Sequence, residues 1–222
     1  FGMEALVRWK HPQLGTIPPR KFISIAEETG AIVSIGNWVL RESLKQNKTW
    51  QTLGYPPLRV AVNLSPRQIE PELVNTIQQL LDEFEIDATY LELEVTEHVF
   101  TDVDEAATIL RQIRDLGVHI SLDDFGTGYN SFTNLKELPV DTIKIDASLV
   151  QDIERNEESK AIVKTMLEFA KILNLNVIAE GVEKHDQIEA LSQDGCTQVQ
   201  GFLFSKPLSK DEFETYLQSL HH

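Results

Sequence analysis

The stretch His119-Ile120-Ser121-Leu122-Asp123-Asp124-Phe125-Gly126-Thr127-Gly128-Tyr129 decides how the rest of the chain is read. Alternation puts Val118, Ile120 and Leu122 on one face of a strand and His119, Ser121 and Asp123 on the other. Adjacent strand residues point to opposite faces. Asp124 therefore joins Asp123 at one site only if the strand ends between them, and Gly126 and Gly128 permit such a bend. Two carboxylates this close repel each other and raise one pKa unless a cation sits between them. Taken alone, these residues fit either a solvated Asp-Asp turn or a cation site.

Outward from this stretch the chain alternates. Apolar-rich segments predict strands at Met3–Arg8, Arg59–Leu64, Tyr90–Val95, Val118–Asp123, Thr142–Asp146, Asn176–Ala179 and Gln198–Phe202. Between them lie apolar stripes at helical spacing: Leu73, Ile77, Leu80, Leu81 and Phe84; Ala106, Ile109, Leu110 and Ile113; Val163, Met166, Leu167 and Ala170; Phe213, Leu217 and Leu220. Asp102 with Glu105, and Ser209 with Glu212, read as capping boxes at two helix starts. The breaks at Pro18-Pro19 and Tyr55-Pro56-Pro57 fall in connections, so residues 1–222 are expected to form a single domain.

Strand–helix alternation at this length implies a parallel sheet, open or closed into a barrel. Each strand keeps one apolar face while the other turns polar toward its C-terminal end. Leu91, Leu93 and Val95 oppose Glu92 and Glu94, and Ile143 and Ile145 oppose Thr142, Lys144 and Asp146. Polar groups delivered at the same end of many strands suit a (β/α)8 TIM-type barrel with its site at the C-terminal mouth. An open doubly wound sheet gathers its site at one switch point, and no G-x-G-x-x-G follows a strand here. The strand candidates are one short of eight and the sequence opens on a strand, so a first strand is expected to precede Phe1.

Composition narrows the function classes. The 222 residues are 41% hydrophobic and 25% charged, enough for one good core. A formal net charge of −15 argues against a binder of nucleic-acid polymers, yet leaves room for a phosphate-bearing ligand if metal ions neutralise the site. No run of about 18 apolar residues exists to insert into a membrane, and no signal peptide opens the chain. The single cysteine, Cys196, excludes an internal disulfide and fits a reducing, cytoplasmic setting, which includes the cytoplasmic part of a membrane-anchored protein. The terminal His221-His222 pair reads as the remnant of a purification tag.

The expected strand mouths carry Glu4, Asn63, Glu94, Glu97, Asp123, Asp124, Lys144, Asp146, Glu180, Glu183 and Gln200. Oxygen donors without histidine or thiolate suit Mg²⁺ or Mn²⁺ over zinc or copper. Several carboxylates can hold a metal pair that clamps the attacking and leaving oxygens of a phosphoryl displacement. A lysine among them can orient or help deprotonate the attacking water. Enolising barrel enzymes, however, use similar carboxylates with one or two Mg²⁺ and a lysine base.

Seven ordered motifs carry a resemblance: Glu4-Ala5-Leu6 with Val7-Arg8-Trp9, Val62-Asn63-Leu64-Ser65, Glu94-Val95-Thr96-Glu97, Asp123-Asp124-Phe125-Gly126-Thr127-Gly128, Lys144-Ile145-Asp146, Ala179-Glu180-Gly181-Val182-Glu183, and Gln200-Gly201. Together they resemble the EAL family of cyclic di-GMP phosphodiesterases over the whole chain. The resemblance implies a TIM-type barrel enzyme that hydrolyses cyclic di-GMP to linear 5'-pGpG with two Mg²⁺ or Mn²⁺ ions per active site. It assigns Glu4, Asn63, Glu94 and Asp123 to one metal and makes Asp123 the bridge to a second, held with Asp124 and Glu180. Lys144 would contact the nucleophilic water, with Glu180 as base or water-positioning group and Glu97 bracing the Asp124–Asn134 loop. Leu6, Arg8, Asp146, Glu183 and Gln200 would face the substrate, Arg8 at a phosphate. The same loop and its adjacent helix would form a homodimer contact. Every one of these groups is of the family's active type. Asn130 stands where the family often has serine, and the family's first, antiparallel strand with its Gln-Pro pair would lie before Phe1. Domains of this family sit in longer signalling proteins, and a sensor or cyclase module is expected beyond this segment.

Structural roles stand beside these. Glu92 is expected as the buried partner of an interior cation such as Lys144. His119 and Ser121 are expected to hydrogen-bond in the interior; His11, His98 and His185 to be structural; Trp9, Trp38 and Trp50 to pack between elements; and Cys196 to be a small buried apolar residue. Asp146 fits ligand contact and an interior salt bridge equally. Two function classes follow, a phosphodiesterase and a catalytically silent cyclic di-GMP receptor that signals through a partner. A Mg²⁺ enolising enzyme remains only if the resemblance is set aside.

Overall fold

The structure, a computed structural model, describes residues 2–96, 103–126, 135 and 137–219. Glu97, His98, Asp102, Thr127, Gly128, Asn130, Leu220 and most of the Asp124–Asn134 loop, with the dimer contact expected there, lie outside the described residues. The chain divides into two compact units, Phe1–Ile120 and Ser121–His222.

In the first unit, β1 (Gly2–Ala5), β4 (Arg59–Leu64) and β5 (Leu91–Thr96) are parallel neighbours. A short antiparallel hairpin, β2 (Trp9–His11) and β3 (Gly15–Ile17), follows β1 and was absent from the expected strands. Helices α1 (Pro19–Thr29) and α2 (Ala31–Thr52) precede β4; α3 (Pro71–Phe84) precedes β5; α4 (Val103–Asp115) precedes β6 (His119–Phe125). The Leu73–Phe84 stripe forms α3 as its spacing requires. Pro71 opens the helix with a preset φ, and Glu85 closes it in the left-handed region at φ 48° while its carbonyl accepts from Lys48 Nζ at 2.6 Å. Leu73, Ile77, Leu80 and Leu81 are buried, each contributing about 1.5–3 kcal/mol by leaving water. They share a core with Leu40 and Leu44 of α2, which packs on both α3 and β4.

The division falls within β6. In the second unit β6, β7 (Thr142–Ile145), β8 (Asn176–Ala179) and β9 (Gln198–Val199) are successive parallel neighbours. They are joined by α5 (Ala147–Val150), α6 (Glu157–Leu173) and α7 (His185–Gln193), and α8 (Lys210–Ser219) ends the described chain. Asn156 caps α6 by accepting from Glu158 and Ser159, and Asn174 ends it at φ 57°. The expected capping box at α8 is present: Glu212 Oε2 accepts from the backbone and hydroxyl of Ser209, and Ser209 Oγ accepts from the backbone of Glu212.

The α/β pattern matches the expectation. The predicted limits of β4 and β8 coincide with the observed ones, whereas β1 stops at Ala5, three residues short, and β9 stops at Val199. No helix among the described residues is long and apolar enough to cross a membrane.

Candidate metal centre

The two aspartates of β6 reach one site by a different route from the expected one. The strand does not end between them: β6 continues through Phe125, and its register against β7 slips between Leu122 and Phe125. Leu122 faces Ile143 and Phe125 faces Ile145, so Asp123 and Asp124 together stand where one residue would oppose Lys144. This is a β-bulge, rare in parallel sheets. Asp124 makes it by entering the left-handed region at φ 55°, which aspartate tolerates better than most side chains. Its backbone N–H donates to Asp123 Oδ1 at 2.9 Å. Gly126, at φ 103°, sits just past the bulge, and a Cβ there would stand 2.3 Å from Met166 Cε.

Glu180 leaves the end of β8 beside this pair. Its N–H donates to the Ile145 carbonyl at 3.0 Å, which extends the β7–β8 ladder one residue past the strand. Lys144, on β7 and 1% exposed, lies between the two strands. Its Nζ is 2.6 Å from Glu180 Oε1 and 3.7 Å from Asp123 Oδ1. One carboxylate oxygen from each of Asp123, Asp124 and Glu180 lies within 4.8 Å of the others. Burial pushes the Asp124 carboxyl up from the ordinary range, and the charges of Asp123 and Asp146 push it further, with Lys144 opposing. Carboxyls thus outnumber the ammonium, and the crowding is relieved either by a proton on Asp124 or by a cation. A divalent cation fits this hard, all-oxygen donor set.

Asp146 sits at the start of α5 and beside Asp124. Its Oδ1 accepts from the Ser148 N–H at 2.9 Å and from the Ser148 hydroxyl, capping α5, and its carboxyl hydrogen-bonds Asp124. Gln200 and Glu183 are exposed at the ends of their segments.

The first unit brings together Glu4 and Asn63, whose Nδ2 donates to Glu4 Oε1 at 2.8 Å. Across β4 and β5, Asn63 is in register with Glu94, which is buried. Leu6 and Arg8 follow β1 on the surface, and the Arg8 guanidinium donates to the Val7 carbonyl.

Of the expected structural roles, those of His119, Trp50, His11 and Cys196 hold, and those of Glu92, Ser121, Trp9 and Trp38 need correction. Glu92 is buried and ion-paired, but its partner is Arg59, 3.3 Å away, not Lys144. Arg59 sits two residues before Ala61, the register partner of Glu92, so the pair is a diagonal one. His119 Nε2 lies 2.8 Å from Arg59 Nη2, which supplies its interior partner. The Ser121 hydroxyl is buried without a hydrogen-bond partner among the described residues. Trp50 is buried as expected, whereas Trp9 and Trp38 are about half exposed, and Trp9 meets Phe22 edge-on at 5.6 Å. His11 accepts from the backbone of Gln13 and Leu14, a structural role. Cys196 is buried, and burial raises its thiol pKa.

The family model described as "EAL domain" matches residues 1–207. The chain belongs to the EAL domain family. Its parallel strands following one another in chain order give it the α/β, TIM-type fold of that family. The chain is 42% identical over 216 residues to the cyclic di-GMP phosphodiesterase PdeR of Escherichia coli, covering 96% of this chain and 32% of PdeR. It is 41% identical over 214 residues to the bifunctional diguanylate cyclase/cyclic di-GMP phosphodiesterase MucR of Pseudomonas aeruginosa, covering 96% and 31%. The chain thus spans about a third of the length of these curated relatives. Among solved structures, the PaMucR phosphodiesterase in complex with cyclic di-GMP superposes with a TM-score of 0.89 at 41% identity, covering 95% of this chain and 86% of that one.

Proposed function

We propose that this EAL domain hydrolyses one phosphodiester of cyclic di-GMP to linear 5'-pGpG with two divalent cations, Mg²⁺ or Mn²⁺. The observation that carries the reading is the Asp123, Asp124 and Glu180 cluster with the buried Lys144 beside it, in a chain whose relatives are named for this activity. Asp123, Asp124 and Glu180 would hold one cation, and Glu4, Asn63 and Glu94 are the oxygen donors for the other. Bound there, the cations polarise the phosphodiester and make water a better nucleophile near neutral pH. Lys144 orients the Glu180 carboxylate, and Glu180 takes the proton that the attacking water gives up. Glu97 braces the loop after β6. Leu6, Arg8, Asp146, Glu183 and Gln200 bind the substrate, Arg8 by donating to a phosphate oxygen. The domain works in the cytoplasm as one module of a longer signalling protein and pairs with a second copy through the Asp124–Asn134 region.

Incubation of the protein with cyclic di-GMP and either metal, followed by chromatography, tests the reading. Mg²⁺ or Mn²⁺ supports conversion to pGpG, and Glu4→Ala lowers the rate by on the order of 10²–10³-fold, the scale of losing one group that stabilises transition-state charge. Ca²⁺, larger and less strict in geometry, binds without supporting turnover. Tight nucleotide binding with no turnover in either metal would instead make the domain a receptor.

A further inference from the structure

Gln187 takes no part in the chemistry above, yet its side chain joins the two segments that carry much of it. It lies in the first turn of α7 and is 1% exposed. A carboxamide offers two donor hydrogens and two acceptor sites, and here all are engaged. Oε1 accepts from the backbone N–H groups of Glu183 at 2.7 Å and Lys184 at 2.9 Å. Nε2 donates to the carbonyls of Val150 and Gln151, each at 3.1 Å.

The two N–H groups close the segment that runs on from Glu180. The two carbonyls close α5, the single turn that Asp146 caps and that follows Lys144 on β7. The same segments meet at Gly181, where φ is 71° and a Cβ would stand 2.4 Å from Ala147 Cβ. At the surface, Lys184 Nζ reaches Glu154 Oε1 at 3.0 Å. A helix cap needs only the acceptor half of this amide; the donor half goes to α5 and does nothing for α7.

We propose that Gln187 is a positioning residue for the carboxylate cluster, setting the spacing of Glu180 against Lys144 and Asp146 and thereby the affinity for a divalent cation. This rests on the reading of Asp123, Asp124 and Glu180 as the cation site. A glutamate at this position keeps the acceptors for Glu183 and Lys184 but sets an ionised oxygen against the Val150 and Gln151 carbonyls, removing the donor from both and leaving Val150 with only the Ile153 N–H at 3.3 Å.

The test measures Mn²⁺ binding by calorimetry on the intact chain, alongside turnover of cyclic di-GMP and the circular dichroism of each variant. Gln187→Glu weakens Mn²⁺ by about 10- to 100-fold, as loss of groups that orient metal ligands does, and lowers kcat more than it raises KM. Gln187→Met, of similar length but with no donor and only a weak sulfur acceptor, weakens it at least as much. Binding is reciprocal, so Mn²⁺ must slow hydrogen exchange at the Glu183 and Lys184 amides of the unmutated protein, a readout that no folding failure can spoil. Unchanged exchange on saturation with Mn²⁺, or a folded Gln187→Glu protein that binds Mn²⁺ as tightly as the parent, would overturn the inference. An unmutated protein that binds Mn²⁺ but leaves cyclic di-GMP intact would sink the proposed activity while leaving the role of Gln187 standing.

Discussion

Each unit sets a cation among acceptors, Lys144 buried and Arg59 partly buried, and the two differ in how the charges balance. In the first, Arg59 reaches Glu92 at 3.3 Å, His119 at 2.8 Å and the Thr89 carbonyl at 3.1 Å. Among the described residues the Arg59 charge is met by the Glu92 carboxylate, with His119 and the Thr89 carbonyl as further acceptors. In the second, Lys144 lies against Glu180 and Asp123 at the site that also holds Asp124. There the carboxyls exceed the ammonium, and part of their surface stays open to solvent. A buried ion pair is therefore a poor guide to function by itself. The sign and size of what is left over separates a structural pair from a site.

Replacing the two cations sharpens the contrast most. Lys144→Met leaves Glu180 and Asp123 facing each other, which destabilises the metal-free protein by about 3–5 kcal/mol and lowers turnover by about 10²–10³-fold. Millimolar Mn²⁺ restores part of the lost stability in a urea titration. Arg59→Met lowers stability by about 2–3 kcal/mol, toward the small side because Arg59 keeps some solvent contact, and leaves turnover per folded molecule unchanged. A Lys144→Met protein whose stability ignores Mn²⁺ would break the distinction.

Cation binding to the unmutated protein is the next largest effect. At a hundredfold excess over Kd a ligand adds about 2.7 kcal/mol, which for a chain of this size raises Tm by about 5–10 °C. Asp123→Asn removes most of that rise in a calorimetric scan.

The smallest effect concerns Asp124, whose carboxyl is pushed up by burial and by Asp123 and Asp146. A raised folded-state pKa means that the ionised form is penalised on folding. The associated stability is present in acid, where folded and unfolded chains are both protonated, and is lost as pH rises through the raised value. Asp124→Asn therefore raises Tm of the metal-free protein near neutral pH, and the gain fades on acidification below the ordinary carboxylate range. A gain independent of pH would point to backbone strain in place of charge, since asparagine also tolerates the left-handed conformation.

The parts of the molecule that follow from local periodicity were legible. Alternation placed β4 and β8 to the residue, and the apolar stripes of α3, α4 and α6 fell on observed helices. The carboxylate cluster was legible as well, because three acidic residues at strand ends announce themselves by type. What escaped depends on partners far apart in sequence. Nothing local says that Glu92 meets Arg59, because the pairing is set by the register of β4 on β5. Three-residue strands such as β2 and β3 are too short for alternation to register. The bulge was hidden because the two glycines after Asp123-Asp124 offered a simpler bend, while the turning is done by Asp124 itself. Gln187 reads as an ordinary polar residue near a helix start; its role appears only once α5 is folded against it.

The bulge in β6 sets two goods against each other. Deleting Asp124 would put Asp123 directly opposite Lys144 and Phe125 still opposite Ile145, an unbroken ladder without the positive φ of Asp124 and with Lys144 still shared between Asp123 and Glu180. Such a chain would form a more regular sheet with one carboxylate fewer at the cluster. At this position the chain carries an irregularity that sheet pairing alone would remove, and the extra residue is the one that supplies the second aspartate.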